Sequence, residues 1–301
     1  MEVHQLRYFV EVVRLGNFTK AAESCHVTQP TLSHQIRKLE DELNEPLLQR
    51  RRKGTAPTFF GERFYPRALR ILQEIEEAKQ EAGTFSSEIR GRLRIGAIPT
   101  VAPYLLASLV REATNTFPGL QFEVSEEPTH ELLQLMRKGR LDLALVSPPV
   151  LGDEWVFQKL CDDELLVTLP ENHRLEAASG ITLEDLVDSP LVLMKEAHCL
   201  RGQTLQLCRR AQLEPDVRIE SSQLDTVLAM VEVGLGLSMT PKMALPFLGG
   251  RKVVFRSLSP EPQFRSISIA WPKQASRTRA FDAFLKLAAS RHSEEKGGEP
   301  N

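Results

Sequence analysis

Two of the four cysteines in this 301-residue chain, Cys199 and Cys208, stand nine positions apart in the stretch HCLRGQTLQLC at 198–208. Sulfur at that spacing admits three kinds of chemistry. The thiols can be small buried hydrophobes, ligands to a metal, or a pair that reports oxidation. Four cysteines in a chain of this length are too few for a disulfide scaffold. Neither a Cys-x-x-Cys nor a His-x-x-x-His spacing occurs, so no closed zinc site is expected, and no metal or cofactor. Most cysteines are inert core residues, and Cys25 and Cys161 are placed in that class. Cys25 follows Ala21 and Ala22 on a helical stretch, and Cys161 precedes Asp162 and Asp163, whose charges would raise a thiol pKa. Cys199 differs in its neighbours, because His198 and Arg201 flank it.

A second group of residues points to another chemistry. In VTQPTLSHQIRKLEDEL at 27–43, Leu32, Ile36, Leu39 and Leu43 recur at helical spacing and form an apolar stripe. The opposite side carries Pro30, His34, Arg37 and Lys38, with Thr31 and Ser33 at its flanks. Thr28 or Gln29 can cap this helix, and Pro30 suits its first turn. Small polar groups at a helix start reach base edges, and basic side chains behind them meet phosphates. A basic run, QRRRKGT at 49–55, follows, and around Lys53 and Gly54 it reads as a two-stranded wing. A solvated three-helix bundle remains the alternative to a nucleic-acid reader.

The elements that would hold these groups fall into three parts. Residues 1–70 carry 12 Lys/Arg against 8 Asp/Glu, although the whole chain has a net charge of −2. Leu6, Phe9, Val10 and Val13 mark a first helix ended by Gly16, and NFTKAAESC a second, with Asn17 as its cap. From Glu62 to about Phe85 the pattern is one long helix, with Leu69, Leu72, Ile75, Ala78 and Ala82 on one side, narrow enough to pair with a partner helix. From Arg92 strands and helices alternate: RLRIGAI, a helix at 101–117, QFEVSEE, HELLQLMRKG, LDLALVS, ELLVTLP, PLVLM, VRIES, VVFRSL and RSISIAW. This is α/β with mostly parallel sheets, in two subdomains. The tail SEEKGGEPN reads as disordered. No secretory segment opens the chain and no apolar run is long enough to cross a membrane, so a cytoplasmic protein is expected.

GNFTKAAESCHVTQPTLSHQIRKLEDELNEPLLQR resembles the N-terminal domain of the LysR-type transcriptional regulators. The resemblance extends over nearly the whole chain and is strongest to the family's peroxide-sensing members. SCHVTQPTLS, IPTVAPYLL, the THELL that begins at Thr129 and HCLRGQTLQLC carry it. It implies an all-α winged helix-turn-helix domain at 1–60, a linker helix for dimerisation at 61–88, and an effector region at 89–301. That region would resemble periplasmic binding proteins, with one Rossmann-like subdomain at about 89–161 and 267–292 and a second at about 162–266. Gln29, Pro30, Thr31, Ser33, His34, Arg37, Lys38, Arg51 and Arg52 become the expected DNA contacts. Gln29 suits an adenine edge, and Arg37 a guanine edge or a phosphate. His34 stands where relatives often have a small residue, which bears on base preference. The implied partners are an operator in double-stranded DNA, hydrogen peroxide, a second copy in a homodimer or homotetramer, and RNA polymerase.

Within the resemblance Cys199 is the peroxide-reactive thiol and Cys208 the resolving thiol. A helix beginning near His198 would put Cys199 in its first turn, where backbone N–H groups and the positive helix end favour a thiolate. Nine helical residues turn about 900° and rise about 13.5 Å, whereas a disulfide needs Cα atoms within about 7 Å. The pair therefore reads as a switch with two backbone states, and Gly202 weakens the helix between them. Relatives commonly carry an acidic residue at Gly202 and glycine at Ala197. Thr100 and Thr129 complete the peroxide site by resemblance, each just beyond a predicted strand, with His198 and Gln203 beside them. Two other functions compete with this one. A regulator answering a small organic acid in the cleft between subdomains would not need the cysteine pair. A thiol peroxidase would not need the helix-turn-helix, and an enzyme is not expected.

Overall fold

The structure is a computed structural model and describes residues 1–51, 54–82, 89–178, 180–186, 189–275 and 277–297. They form two compact units. The first contains α1 (Val3–Leu15), α2 (Phe18–Ser24), α3 (Gln29–Leu43), β1 (Leu48–Arg51), β2 (Gly54–Pro57) and α4 (Phe59–Ala82). Each boundary has a local cause. Gly16 ends α1 in the left-handed conformation that glycine adopts without strain. The Asn17 side chain accepts hydrogen bonds from the N–H groups of Thr19 and Lys20 and so starts α2. Thr28 accepts from the N–H of Thr31 and starts α3, with Pro30 in the first turn.

Two apolar clusters hold this unit together. Leu6, Phe9 and Val10 of α1 pack with Leu39, Leu47, Phe64, Tyr65 and Ala68. Val12, Ala21, Ala22, Leu32 and Ile36 form the other cluster, in which the two alanines let α2 approach closely. β1 and β2 pair antiparallel. At Gly54 the backbone has φ +104° and passes so near Gly16 that an added Cβ would lie 2.6 Å from its carbonyl oxygen. Thr55 N–H donates to that same oxygen at 2.9 Å, tying the hairpin to the end of α1. The long helix begins three residues before the expected Glu62 and is described to Ala82, while Phe85 lies outside the described residues. Leu72, read from sequence as seam, packs against the cluster of its own chain.

The second unit contains β3 (Arg90–Ala97), a π-helical turn (Ala102–Leu106), α5 (Ala107–Thr116), β4 (Gly119–Glu126), α6 (Thr129–Arg137), β5 (Leu143–Val146) and β6 (Trp155–Pro170). It continues through β7 (Leu191–Met194), α7 (Cys199–Arg210), β8 (Val217–Ser221), α8 (Leu224–Glu232) and β9 (Ser238–Pro241). A 3₁₀ stretch (Lys242–Phe247), β10 (Val253–Arg256), β11 (Gln263–Pro272) and α9 (Arg279–Gly297) complete it. The main sheet runs β10-β6-β11-β5-β3-β4, with β9 also on β6. β7 and β8 form a separate parallel pair. An apolar core that includes Val167, Val192, Val227, Leu228 and Val231 joins β6, β7 and α8, with Leu200 and Leu207 of α7.

The expectation of mostly parallel sheets is corrected here. Only β3 with β4 and β3 with β5 are parallel in the main sheet. β5–β11, β11–β6, β6–β10 and β6–β9 are antiparallel. The central strand β6 is 16 residues long, and only its last seven, ELLVTLP, read as a strand in sequence. Its middle, Cys161-Asp162-Asp163-Glu164, breaks the apolar pattern. Asp163 and Glu164 are nevertheless buried, each against a cation, Arg265 and Lys242. The tail is corrected too, since α9 continues through Ser293 to Gly297. Glu294, Glu295 and Lys296 are good helix formers that extend the turns before them.

Candidate functional site

The site in the second unit forms where β3 and β5 end. These two strands are parallel neighbours, and ligands in α/β sheets bind outside such carboxyl ends. Thr100 follows β3, Ser147 follows β5 and Thr129 is the first residue of α6. Thr100 and Ser147 are buried. Cys199 is the first residue of α7, with His198 as its N-cap in extended conformation.

Arg265 organises one side of the site. It is 3 % exposed and lies directly opposite Asp163 in the β11–β6 register. Its Nε donates to Asp163 Oδ2 at 2.9 Å, one terminal nitrogen to Thr100 Oγ1 at 2.7 Å and the other to the Thr100 carbonyl at 3.0 Å. Asp163 also accepts from the N–H of Met243 at 2.9 Å. Buried charges persist when they are paired and hydrogen-bonded, and this pair is both. Thr100 is therefore not a helix cap. Its hydroxyl accepts from Arg265 and keeps its own proton to donate.

Gln203 lies one turn into α7. Its Nε2 donates to Ser147 Oγ at 2.8 Å, and Ser147 in turn donates to the Ser266 carbonyl at 2.9 Å. Gln203 Oε1 and Thr129 Oγ1 are buried without a hydrogen-bond partner. Buried polar atoms in native proteins nearly always have one, so these two mark positions that a small polar molecule would satisfy.

The electrostatics at Cys199 differ from the expectation. The residue is half-buried and free. Desolvation is the largest influence on its thiol and raises the pKa. The Arg265 charge and the N–H groups of Leu200 and Cys199 act the other way without overcoming it. His198 is buried and burial lowers its pKa, so it is a neutral ring beside the sulfur and supplies no positive charge. Arg201 gives its guanidinium to Glu220, through Nε at 3.0 Å and a terminal nitrogen at 2.7 Å. The cation that acts on Cys199 is thus Arg265, far away in sequence.

Cys208 is 1 % exposed and also free. Burial raises its thiol pKa. Both cysteines lie on one continuous helix, α7. Nine helical residues put them on opposite faces, about 13.5 Å apart along the axis. Among the described residues no group of three or more His, Cys, Asp or Glu is arranged to hold a metal ion.

The structure places the remaining expected residues on the first unit. Gln29, Pro30, Thr31, His34, Arg37 and Lys38 are exposed on α3 and Ser33 is half-buried, while Leu32, Ile36 and Leu39 face the core. The exposed residues share the face away from that core. Arg51 ends β1, and Arg52 lies outside the described residues.

Sequence reasoning missed Arg265, Asp163 and Ser147. The one signal for Arg265 was a charge in an otherwise apolar alternating strand, FRSISIAW. Asp163 was noticed only as a neighbour of Cys161, and no pattern marked Ser147.

A helix-turn-helix with a β-hairpin wing, together with an α/β unit carrying buried polar side chains at its strand ends, defines a DNA-binding transcriptional regulator. Residues 3–62 match the bacterial regulatory helix-turn-helix proteins of the lysR family, and residues 86–293 match the LysR substrate binding domain. The chain belongs to the LysR family of transcriptional regulators. It is 33% identical over 273 residues to the DNA-binding transcriptional dual regulator OxyR of Escherichia coli strain K12, covering 90% of this chain and 89% of that protein. A full-length OxyR from Pseudomonas aeruginosa, with a Cys-to-Asp substitution, superposes with a TM-score of 0.80 at 30% identity, over 97% of this chain and 94% of that one. A hydrogen-peroxide-bound, cysteine-to-serine variant of OxyR from Corynebacterium glutamicum matches with a TM-score of 0.65 at 28% identity, over 100% and 99% of the two chains. Among the described residues no helix is long and apolar enough to cross a membrane.

Proposed function

We propose that this LysR-family regulator senses hydrogen peroxide through a thiol–disulfide switch between Cys199 and Cys208. The observation that carries the reading is a cysteine in a helix's first turn acted on by Arg265, the same cation that binds Thr100, in a unit where Thr129 Oγ1 and Gln203 Oε1 are buried without partners. Peroxide has two O–H donors and two acceptor oxygens, and it is small enough for a site built of single side-chain atoms. Its likeness to OxyR proteins, one of them solved with hydrogen peroxide bound, supports the same reading.

The chemistry then follows from the residues. The Cys199 thiolate attacks one peroxide oxygen and the O–O bond breaks. The departing hydroxide takes a proton and leaves as water, and Cys199 becomes a sulfenic acid. Thr100, whose hydroxyl is held by Arg265, donates its proton toward the oxygens, and Thr129 and Gln203 fix their orientation. Arg265 stabilises the thiolate against the desolvation that opposes it. The Cys208 thiolate then attacks the Cys199 sulfur and displaces its hydroxyl as water. In sum, two thiols and one peroxide give one disulfide and two waters. α7 must open for this second step, because its helical form holds the sulfurs apart.

At the other end of the chain, Gln29, Pro30, Thr31, Ser33, His34, Arg37 and Lys38 of α3, with Arg51 and Arg52 of the wing, contact operator DNA. The assembly is a homodimer or homotetramer joined in part by the linker, acting in the cytoplasm on RNA polymerase. The test of the sensing reading is intact mass before and after mild peroxide, with peptide mapping. A loss of about 2 Da confined to a 199–208 crosslink supports it. A chain whose Cys199 gives neither sulfenic acid nor disulfide at low peroxide rejects it, and leaves a small organic effector as the signal.

A further inference from the structure

We infer that Ser147 is a positioning residue for the peroxide reaction, acting by fixing which end of the Gln203 amide faces the pocket. This rests on the peroxide reading above and adds a residue to it. A primary amide has two ends of nearly equal shape, one a donor and the other an acceptor. Which end a pocket presents is decided by what the other end meets. Here that neighbour is a hydroxyl with a single proton. Ser147 gives that proton to the Ser266 carbonyl at 2.9 Å, a group that can only accept. Its oxygen is left to receive a hydrogen bond, and Gln203 Nε2 supplies it at 2.8 Å. The amide is thereby held with Oε1 turned away from Ser147, buried and without a partner.

Reversing the amide would require Ser147 to donate to Gln203 and abandon Ser266, leaving a donor where the acceptor now is. Ser147 is itself 3 % exposed, so water does not readily replace either bond. It sits one residue beyond β5, a strand buried along its whole length, and therefore holds its place firmly. The consequence is chemical. The thiolate attacks one oxygen of the peroxide while an O–H of the same molecule donates to Gln203 Oε1, and the attack geometry depends on that acceptor staying in place. Ser147 touches neither sulfur nor peroxide in this scheme and acts only through Gln203.

The test uses the full-length protein with Cys208→Ser, so that the sulfenic acid accumulates. The rate constants of Cys199 with hydrogen peroxide and with iodoacetamide are measured at one pH for the parent, Ser147→Ala, Ser147→Thr, Gln203→Ala and the Ser147→Ala/Gln203→Ala pair. Ser147→Ala should slow the peroxide reaction roughly tenfold, the worth of one lost hydrogen bond, and leave alkylation unchanged. Ser147→Thr keeps the hydroxyl and should restore the peroxide rate. In the Gln203→Ala background Ser147→Ala should have no further effect. Equal losses toward peroxide and iodoacetamide, an undiminished effect without Gln203, or a Ser147→Ala variant as fast as its parent would each overturn the assignment. A parent that forms no sulfenic acid at all would instead remove the peroxide reading itself.

Discussion

Gly202→Ala reads the proposed switch directly. Gly202 is exposed in the interior of α7, and a Cβ placed there meets nothing within 4 Å. Alanine therefore adds helix propensity and no new contact, stabilising the helical form by about 1 kcal/mol. If the disulfide requires α7 to open, that gain belongs to the reduced dithiol and is lost on oxidation. The dithiol–disulfide equilibrium then shifts about fivefold toward the dithiol. For a two-electron couple 1.4 kcal/mol corresponds to 30 mV, so the potential should rise by about 20 mV and the disulfide become easier to reduce. Equilibration in glutathione buffers, quenched and read by mass, measures this. Melting of the reduced protein gives an independent control, with Tm expected to rise by about 2–4 °C. A reduced form that gains this stability while the potential stays unchanged would refute the reasoning, since α7 would then be equally helical in both states.

Other expectations follow from the same geometry. Arg37→Ala should weaken operator binding by about 1–3 kcal/mol if Arg37 reads a base, measured by titration at fixed salt; unchanged affinity in a folded variant takes α3 out of the interface. Arg265→Gln leaves Asp163 buried without its partner and should destabilise the fold by about 3–5 kcal/mol in urea titrations, with a further rise in the Cys199 pKa; a Cys199 pKa that does not rise would show that Arg265 has no influence on the sulfur. Cys208→Ser should stop oxidation at the sulfenic acid, detected by dimedone labelling, and a normal disulfide yield would remove Cys208 from the scheme. Stability should also depend on pH at both ends. Burial raises the Cys199 and Cys208 thiols above an ordinary 9.0, so their contribution is complete below that value and is lost as pH climbs through their folded values. Burial lowers His198 below 6.5, so its contribution is complete above 6.5 and is lost as pH falls through its folded value. Urea midpoints should peak between the two limits, and a Cys199→Ala/Cys208→Ala variant that keeps the full alkaline decline would contradict the assignment.

What was legible in the sequence had a local cause. The capped helices α1, α2 and α3 announce themselves through Asn17, Thr28 and a periodic apolar face, because caps and periodicity act within a few residues. The cysteine pair, Thr100, Thr129 and Gln203 were found because they lie in short runs that resemble known ones. What was not legible depends on partners far along the chain. The first nine residues of β6 hide behind Asp162 and Asp163, which look like loop residues until Arg265, about a hundred positions away, pairs with Asp163. The direction of each strand is likewise set by pairing partners far along the chain, as where β11 lies antiparallel to both β5 and β6.

The electrostatics of Cys199 show the same limit at the scale of one sulfur. Its sequence neighbours, His198 and Arg201, suggest a depressed thiol pKa, and the fold removes both contributions. Burial keeps His198 neutral, and Glu220 claims Arg201. The nearby cation that remains comes from β11, and desolvation still exceeds it. A thiol raised in this way is protected from general oxidants at neutral pH, because little of it is thiolate. Fast reaction with peroxide then has to come from the positioned oxygen partners, Thr100, Thr129 and Gln203, rather than from a generally activated sulfur. Selectivity is the natural consequence. Toward bulky alkylating agents, which cannot use those partners, Cys199 should react no faster than a buried thiol of its pKa, and only peroxide should exceed that baseline. A rate constant with peroxide that, corrected for the thiolate fraction, is no greater than that of a free thiol in solution would mean that the pocket contributes nothing beyond access.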